Sequence, residues 1–120
     1  MTTREALTAV RRRGNVALID LVGDVNASAE SSMHNAWETA TRERPEAVVL
    51  NFEGAGYINS TGIALIVEIL AGARKQKIPI RAFGLTQHYR EIFEITRLAD
   101  FLAINPDEDS AVRGAERSSS

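Results

Sequence analysis

Asn59-Ser60-Thr61-Gly62 sets two adjacent hydroxyls between an amide and a glycine, immediately before the apolar run Ile63 to Leu70. A helix beginning here would carry N–H groups without intrahelical acceptors and a partial positive charge, which favour an oxygen acceptor or an anion. Gly62 has no side chain, so another molecule is expected to be able to approach the backbone there. Three chemistries compete. The simplest is capping: Asn59, Ser60 or Thr61 accepts a hydrogen bond from the first turn, a contribution of ~1 kcal/mol. One cap suffices, yet three capping-type residues stand together. The second is a nucleophilic serine, which needs a base within hydrogen-bond reach. The G-x-S-x-G pattern is absent because Ile58 stands where its first glycine would be. No motif places His34 or His88 beside Ser60, and both read as solvated. The third is a modification switch. A phosphate on Ser60 adds about −1.5 to −2 charges and is tolerated by the helix start. In a partner interface the same charge costs several kcal/mol if left unpaired.

Stepping outward, the elements that must hold this junction alternate. Residues 6–13 alternate weakly as an edge strand, Gly14-Asn15 is a turn, and Val16 to Val22 is a second strand ended by Gly23 and Asp24. Ser28 is the candidate cap of a helix whose apolar face is Ala29, Met33, Ala36, Trp37 and Ala40, with Pro45 after its end. Ala47 to Leu50 reads as a buried central strand continued by Phe52, and Glu53 to Gly56 as a loop. The buried helix from the Asn59–Thr61 cap is followed by a short strand at Ile80 to Phe83. A last helix is capped by Thr86, with Tyr89, Ile92, Phe93 and Thr96 on one face, and Phe101 to Ile104 forms a final strand. The expectation is an α/β fold: a small mixed sheet of four to five strands, an opening hairpin plus parallel strands, covered by three to four helices. Residues 1–104 form a single domain, and 105–120, rich in Asp, Glu and Ser, a solvated, disordered tail.

Composition narrows the function. In a chain of 120 residues there is room for one core. The 14 Lys plus Arg against 16 Asp plus Glu give a charge of −2, with no general pull toward nucleic acid. The absence of cysteine excludes a disulfide scaffold, a zinc-thiolate site and a cysteine nucleophile. No phosphate-loop pattern, metal-ligand spacing, apolar signal core or membrane-length run is visible, so a cytoplasmic domain without its own cofactor is expected. Arg11-Arg12-Arg13 reads as a solvated hairpin end.

The segment Leu50 to Ile63 resembles the signature of STAS domains, in particular bacterial anti-sigma factor antagonists, whose pattern runs roughly L-D-L-S-x-V-x-x-I-D-S-S-G-L. Gly23-Asp24-Val25-Asn26 is similar to the family's G-E-L-D turn, and Ile92 to Leu98 to the late helix ending in T-G-L. The resemblance covers residues 5–104. It implies a STAS-like fold, a non-enzymatic binding module, and a phosphorylatable serine at Ser60. It implies a docking surface of Gly23, Asp24, Val25, Asn26, Asn59, Ser60, Thr61, Gly62 and Ile63. The implied partners are an anti-sigma factor of the serine kinase type, which supplies ATP and magnesium, and a serine phosphatase; homodimerisation is left open. The unphosphorylated form would bind the anti-sigma factor and free the sigma factor. Asn59, Asn51 and Asn26 stand where the family carries acidic residues, and Arg97 where it carries glycine. These changes motivate an alternative: an unphosphorylated STAS scaffold or accessory subunit of a stress-signalling or transport complex.

Overall fold

The computed structural model describes residues 7–118. The strand expectation at residue 6 and the serines at 119 and 120 lie outside them. The chain forms β1 (Leu7–Arg13), β2 (Val16–Val25), a 3-10 turn (Ala27–Ala29), α1 (Glu30–Thr41), β3 (Ala47–Ile58) and α2 (Ser60–Gln76). It continues through β4 (Ile80–Phe83), α3 (Gln87–Ile95), a second 3-10 turn (Leu98–Asp100), β5 (Ala103–Asn105) and α4 (Glu108–Ser118). The five strands lie in sequence order. The opening hairpin is antiparallel and every later pairing is parallel, which makes the mixed α/β sheet that the sequence implies.

The sheet is covered on both faces, which is why β2 and β3 open with unbroken apolar runs. Alternate residues face opposite ways. Ala17, Ile19, Leu21, Val48, Leu50 and Phe52 meet α1, α2 and α3 through Met33, Ala36, Leu65, Ile66, Ile69 and Phe93. On the other face Val16, Leu18, Ala47, Val49 and Phe83 meet α4, through Ala111, Val112 and Ala115. The segment expected as a solvated tail is therefore a packed helix over Glu108–Ser118. Three small apolar residues at i, i+1 and i+4 are enough to close a face that the sheet leaves bare. Their spacing is hidden among the charges of Glu108, Asp109, Arg113 and Glu116.

Those charges are structural. Arg11 donates to both oxygens of Asp20, at 2.6 and 2.8 Å, and reaches Glu108 at 2.9 Å. Arg13 meets Glu108 and Asp109, and Arg12 meets Glu43. The arginine run expected to be solvated instead ties the hairpin to α4 and to Glu43, two residues after α1. The Arg11 guanidinium holds the carboxyls of Asp20 and Glu108 below their ordinary values.

Four boundaries differ from expectation. The last strand, expected over Phe101 to Ile104, is β5 at Ala103–Asn105, because Phe101 closes the second 3-10 turn, its N–H donating to the Leu98 carbonyl. Ser28 does not cap α1; Asn26 does the capping one turn earlier, its Oδ1 accepting from the Ser28 N–H and hydroxyl, and the 3-10 turn leads into the helix. β2 runs on through Gly23 to Val25, with register shifts on either side of Gly23. Glu53 to Gly56, expected as a loop, is the continuation of β3, because β2 runs alongside to pair with it.

Candidate functional site

The far ends of β2 and β3 bring the two predicted segments together. Val25 pairs with Ile58, and the Asn59 N–H donates to the Val25 carbonyl at 3.2 Å. The β2 end at Gly23–Val25 and Asn26 after it thus lie against the start of α2.

Asn59 is the cap. Its backbone is extended, its Oδ1 accepts from the Gly62 N–H at 2.8 Å, and its carbonyl accepts from the Ile63 N–H at 2.9 Å. The helix end is therefore closed without either hydroxyl. Ser60 and Thr61, the first two helical residues, are exposed. Their own N–H groups precede any intrahelical acceptor. What remains at the surface is an accessible hydroxyl pair on a rigid, electropositive helix start.

The glycine has a different task from the one expected. Gly62 is buried, and a Cβ there would lie 2.1 Å from the Val25 carbonyl oxygen. Its missing side chain admits the chain's own β2 end rather than a visitor. Val25 is fully buried, and Ile63 is half-buried against the core. These three of the predicted docking residues support the surface from beneath. The outward set is Ser60, Thr61 and Asn59, with Asp24 and Asn26 half-exposed beside them.

Two contacts that the sequence reading missed stiffen the approach. Asp24 Oδ1 accepts from the Tyr57 N–H at 2.9 Å, and the Tyr89 hydroxyl accepts from the Ile58 N–H at 2.9 Å. Gly56 permits the first, since a Cβ there would lie 2.2 Å from Asp24 Oδ1. Tyr57 itself is 80% exposed, at the end of β3, three residues before Ser60. Tyr89 shows only as a core-face residue in the helical pattern, and nothing in its spacing signals a bond made by its hydroxyl.

Asn51, on β3, donates to Asp20 Oδ1 at 2.8 Å and accepts from the Glu53 N–H at 2.9 Å. A carboxylate there would face Asp20, so the amide suits this chain's own network. His34 pairs with Glu68 at 3.1 Å, two helical turns along α2 from Ser60, and His88 packs on Tyr89. No histidine is hydrogen-bonded to Ser60 among the described residues. Nor is there among them a group of three His, Cys, Asp or Glu able to hold a metal ion, or a helix long and apolar enough to cross a membrane.

A family model described as Mlab, STAS domain matches residues 8–104. The chain belongs to the STAS domain family. No curated protein sequence matches this STAS domain. Among solved structures, an anti-sigma factor antagonist from Mycobacterium paratuberculosis shares its fold with a TM-score of 0.78 at 15% identity, covering 93% of this chain and 95% of that one. The Bacillus cell fate determinant SpoIIAA in its phosphorylated form is similar at 0.68 and 16%, covering 88% and 97%. A sulfate transporter family protein from Wolinella succinogenes gives 0.74 at 12%, covering 89% of each chain. The STAS fold thus presents the Asn59–Thr61 helix start beside the Gly23–Asn26 segment.

Proposed function

We propose that this STAS domain is an anti-sigma factor antagonist that acts by binding rather than catalysis, switched by phosphorylation of Ser60. The unphosphorylated surface docks an anti-sigma factor of the serine kinase type, which brings its own ATP and magnesium, and a serine phosphatase restores it. The observation that carries this is the division of labour at the α2 start: Asn59 closes the helix, so the exposed Ser60 is not needed for folding. Magnitudes then set the direction. The helix start stabilises a phosphate by ~0.3–1 kcal/mol. Burying an unpaired double charge against a partner costs several kcal/mol. The larger effect wins: the phosphoform folds and releases its partner, a two-state logic. The half-exposed Asp24 adds like charge beside it. The solved similarity to an anti-sigma factor antagonist and to SpoIIAA in a phosphorylated form supports the reading.

The test uses the kinase-type anti-sigma factor from the same genome. Wild type should gain one phosphate by intact mass and lose the kinase from a pull-down. Ser60→Ala should bind without gaining phosphate, and Ser60→Asp should fail to bind. Equal phosphate uptake by Ser60→Ala removes the site assignment.

The alternative is an unphosphorylated accessory subunit of a stress-signalling or transport assembly. It is favoured by the Mlab family model and by the amide role of Asn59, which supplies a cap but no charge. Protein purified from its own host that never carries phosphate under any growth condition would select it.

A further inference from the structure

Three of the five large hydrophobics that stand exposed lie away from the Ser60 surface, and two of them, Val67 and Phe101, border one groove. The outer face of α2 and the second 3-10 turn form its walls. Val67, Leu70, Ala71, Leu98 and Phe101 line a cavity of about 220 Å³. A neighbouring cavity of about 400 Å³ shares Leu70, Arg74 and Phe101 and runs on to Ile80. Val67 is 43% exposed and Phe101 53%, so apolar surface is left in water with no element over it among the described residues.

Asp100, the acidic residue in its lining, is paired with Arg97 at 2.9 Å, and Glu68, next to Val67, is hydrogen-bonded to His34 at 3.1 Å. Arg74 makes no ion pair among the described residues; its guanidinium sits over the Phe101 ring, 5.6 Å from the centroid. Lys75 and Lys77, also exposed and without an ion pair among the described residues, follow in the last turn and cap. In a chain of net charge −2, Arg74 therefore stands in the wall of the apolar slot without an ion pair among the described residues, and Lys75 and Lys77 follow it along the chain. A cation–π contact leaves the guanidinium edge free to meet a carboxylate.

We propose that this groove is a second docking surface, for an amphipathic helix with an apolar stripe flanked by acidic residues, presented by a protein partner. The stripe fills the slot between Val67, Ala71 and Phe101, and the carboxylates meet Arg74 and the lysines beyond it. The groove begins at Val67, roughly 10 Å along α2 from Ser60, and its cationic end at Arg74 lies roughly 21 Å away, at 1.5 Å per residue. It is therefore open whether or not Ser60 is charged, and the domain is able to hold one partner while the other is exchanged.

The probe is a synthetic sixteen-residue helix with Leu at i, i+3, i+4 and i+7 and Glu at the flanking positions; its control carries Lys in place of Glu. Isotope-labelled full chain is titrated with each. The expected result is saturable binding of the Glu peptide, with amide shifts confined to Val67–Lys77 and Leu98–Leu102, and binding of the Lys peptide about tenfold weaker or more. Phe101→Ala should weaken the Glu peptide about tenfold. Arg74→Glu, an exposed change that leaves the fold intact, should reverse the preference between the peptides. Ser60→Asp should leave both affinities unchanged, which separates this surface from the Ser60 reading. Equal binding of both peptides, shifts centred on the Ser60 surface, or no saturation overturns the proposal. So does a concentration-dependent dimer that broadens Val67 and Phe101, since the groove's occupant would then be a second copy.

Discussion

At Gly62 one methyl group decides whether two elements can meet. The Val25 carbonyl occupies the place of a side chain and also accepts the Asn59 N–H, so the end of β2 is the rest on which α2 starts. Gly62→Ala forces that carbonyl away. The expected cost is about 1–3 kcal/mol, as for an overpacked core, read as a lowered urea midpoint with an unchanged slope. An unchanged midpoint would mean that the approach is looser than described. Three residues earlier the chemistry is polar. Asn59→Ala removes the acceptor of the Gly62 N–H and should lose about 1 kcal/mol. Asn59→Asp keeps the acceptor and sets a negative charge on the helix start, so its stability should match or exceed wild type by ~0.3–1 kcal/mol at low salt, with the gain fading as salt rises. A thermal-melt series in salt checks both. If Asp destabilises as much as Ala, the cap is not the role of this side chain.

At the level of elements, the helix expected least closes the fold. α4 is the cover of Val16, Leu18, Val49 and Phe83, and it does so with Ala111, Val112 and Ala115. A chain ending at Asn105 keeps the Ser60 surface but bares that face. It should lose on the order of 3 kcal/mol or more of stability at about 25 cal/mol per Å² and bind an apolar dye. Equal stability of the shortened chain would make α4 an accessory. The same helix shows where sequence reading works and where it stops. β2, β3 and α2 were legible because apolar runs buried on both sides leave little choice of place. α4 was not, since three small apolar residues among seven polar ones and a glycine look like a solvated run until a bare sheet face is there to receive them. The strand identity of Glu53–Gly56 was hidden for a related reason: two glycines signal a loop, but Gly54 packs against Val22 and Gly56 admits Asp24, so both answer to close neighbours. Asn59, Ser60 and Thr61 were legible as a group. Which of them caps depends on side-chain geometry that spacing does not contain. Arg97 marks a further limit. It holds a left-handed conformation with φ 68°, the reason a glycine suits that place in the family pattern, yet the turn persists with arginine.

Across the whole molecule, one guanidinium joins parts far apart in the chain. Arg11 on β1 meets Asp20 on β2 and Glu108 on α4, while Asn51 on β3 supports Asp20 and Arg13 and Asp109 flank Glu108. Folding therefore lowers both carboxyls, chiefly through hydrogen bonds from Arg11, from ordinary values of 3.8 for Asp20 and 4.5 for Glu108. The sign follows directly. The unfolded chain binds protons at these sites before the folded chain does, so the stabilisation is complete above about pH 4.5 and is lost as the pH falls through the lower folded values. Solvent limits its size: the Arg11 side chain is 40% exposed, and such pairs contribute ~0–1 kcal/mol each. The stability of wild type should therefore fall by about 1–2 kcal/mol more than that of Arg11→Met between pH 6 and pH 3. Because Glu108 opens α4, amide exchange at Ala111 and Val112 should rise earlier on acidification than exchange in β3. Urea melts of both proteins across that range decide the matter. Parallel curves would show that the network holds the helix no more tightly than water does, and the packing of Ala111, Val112 and Ala115 would then have to keep α4 in place alone.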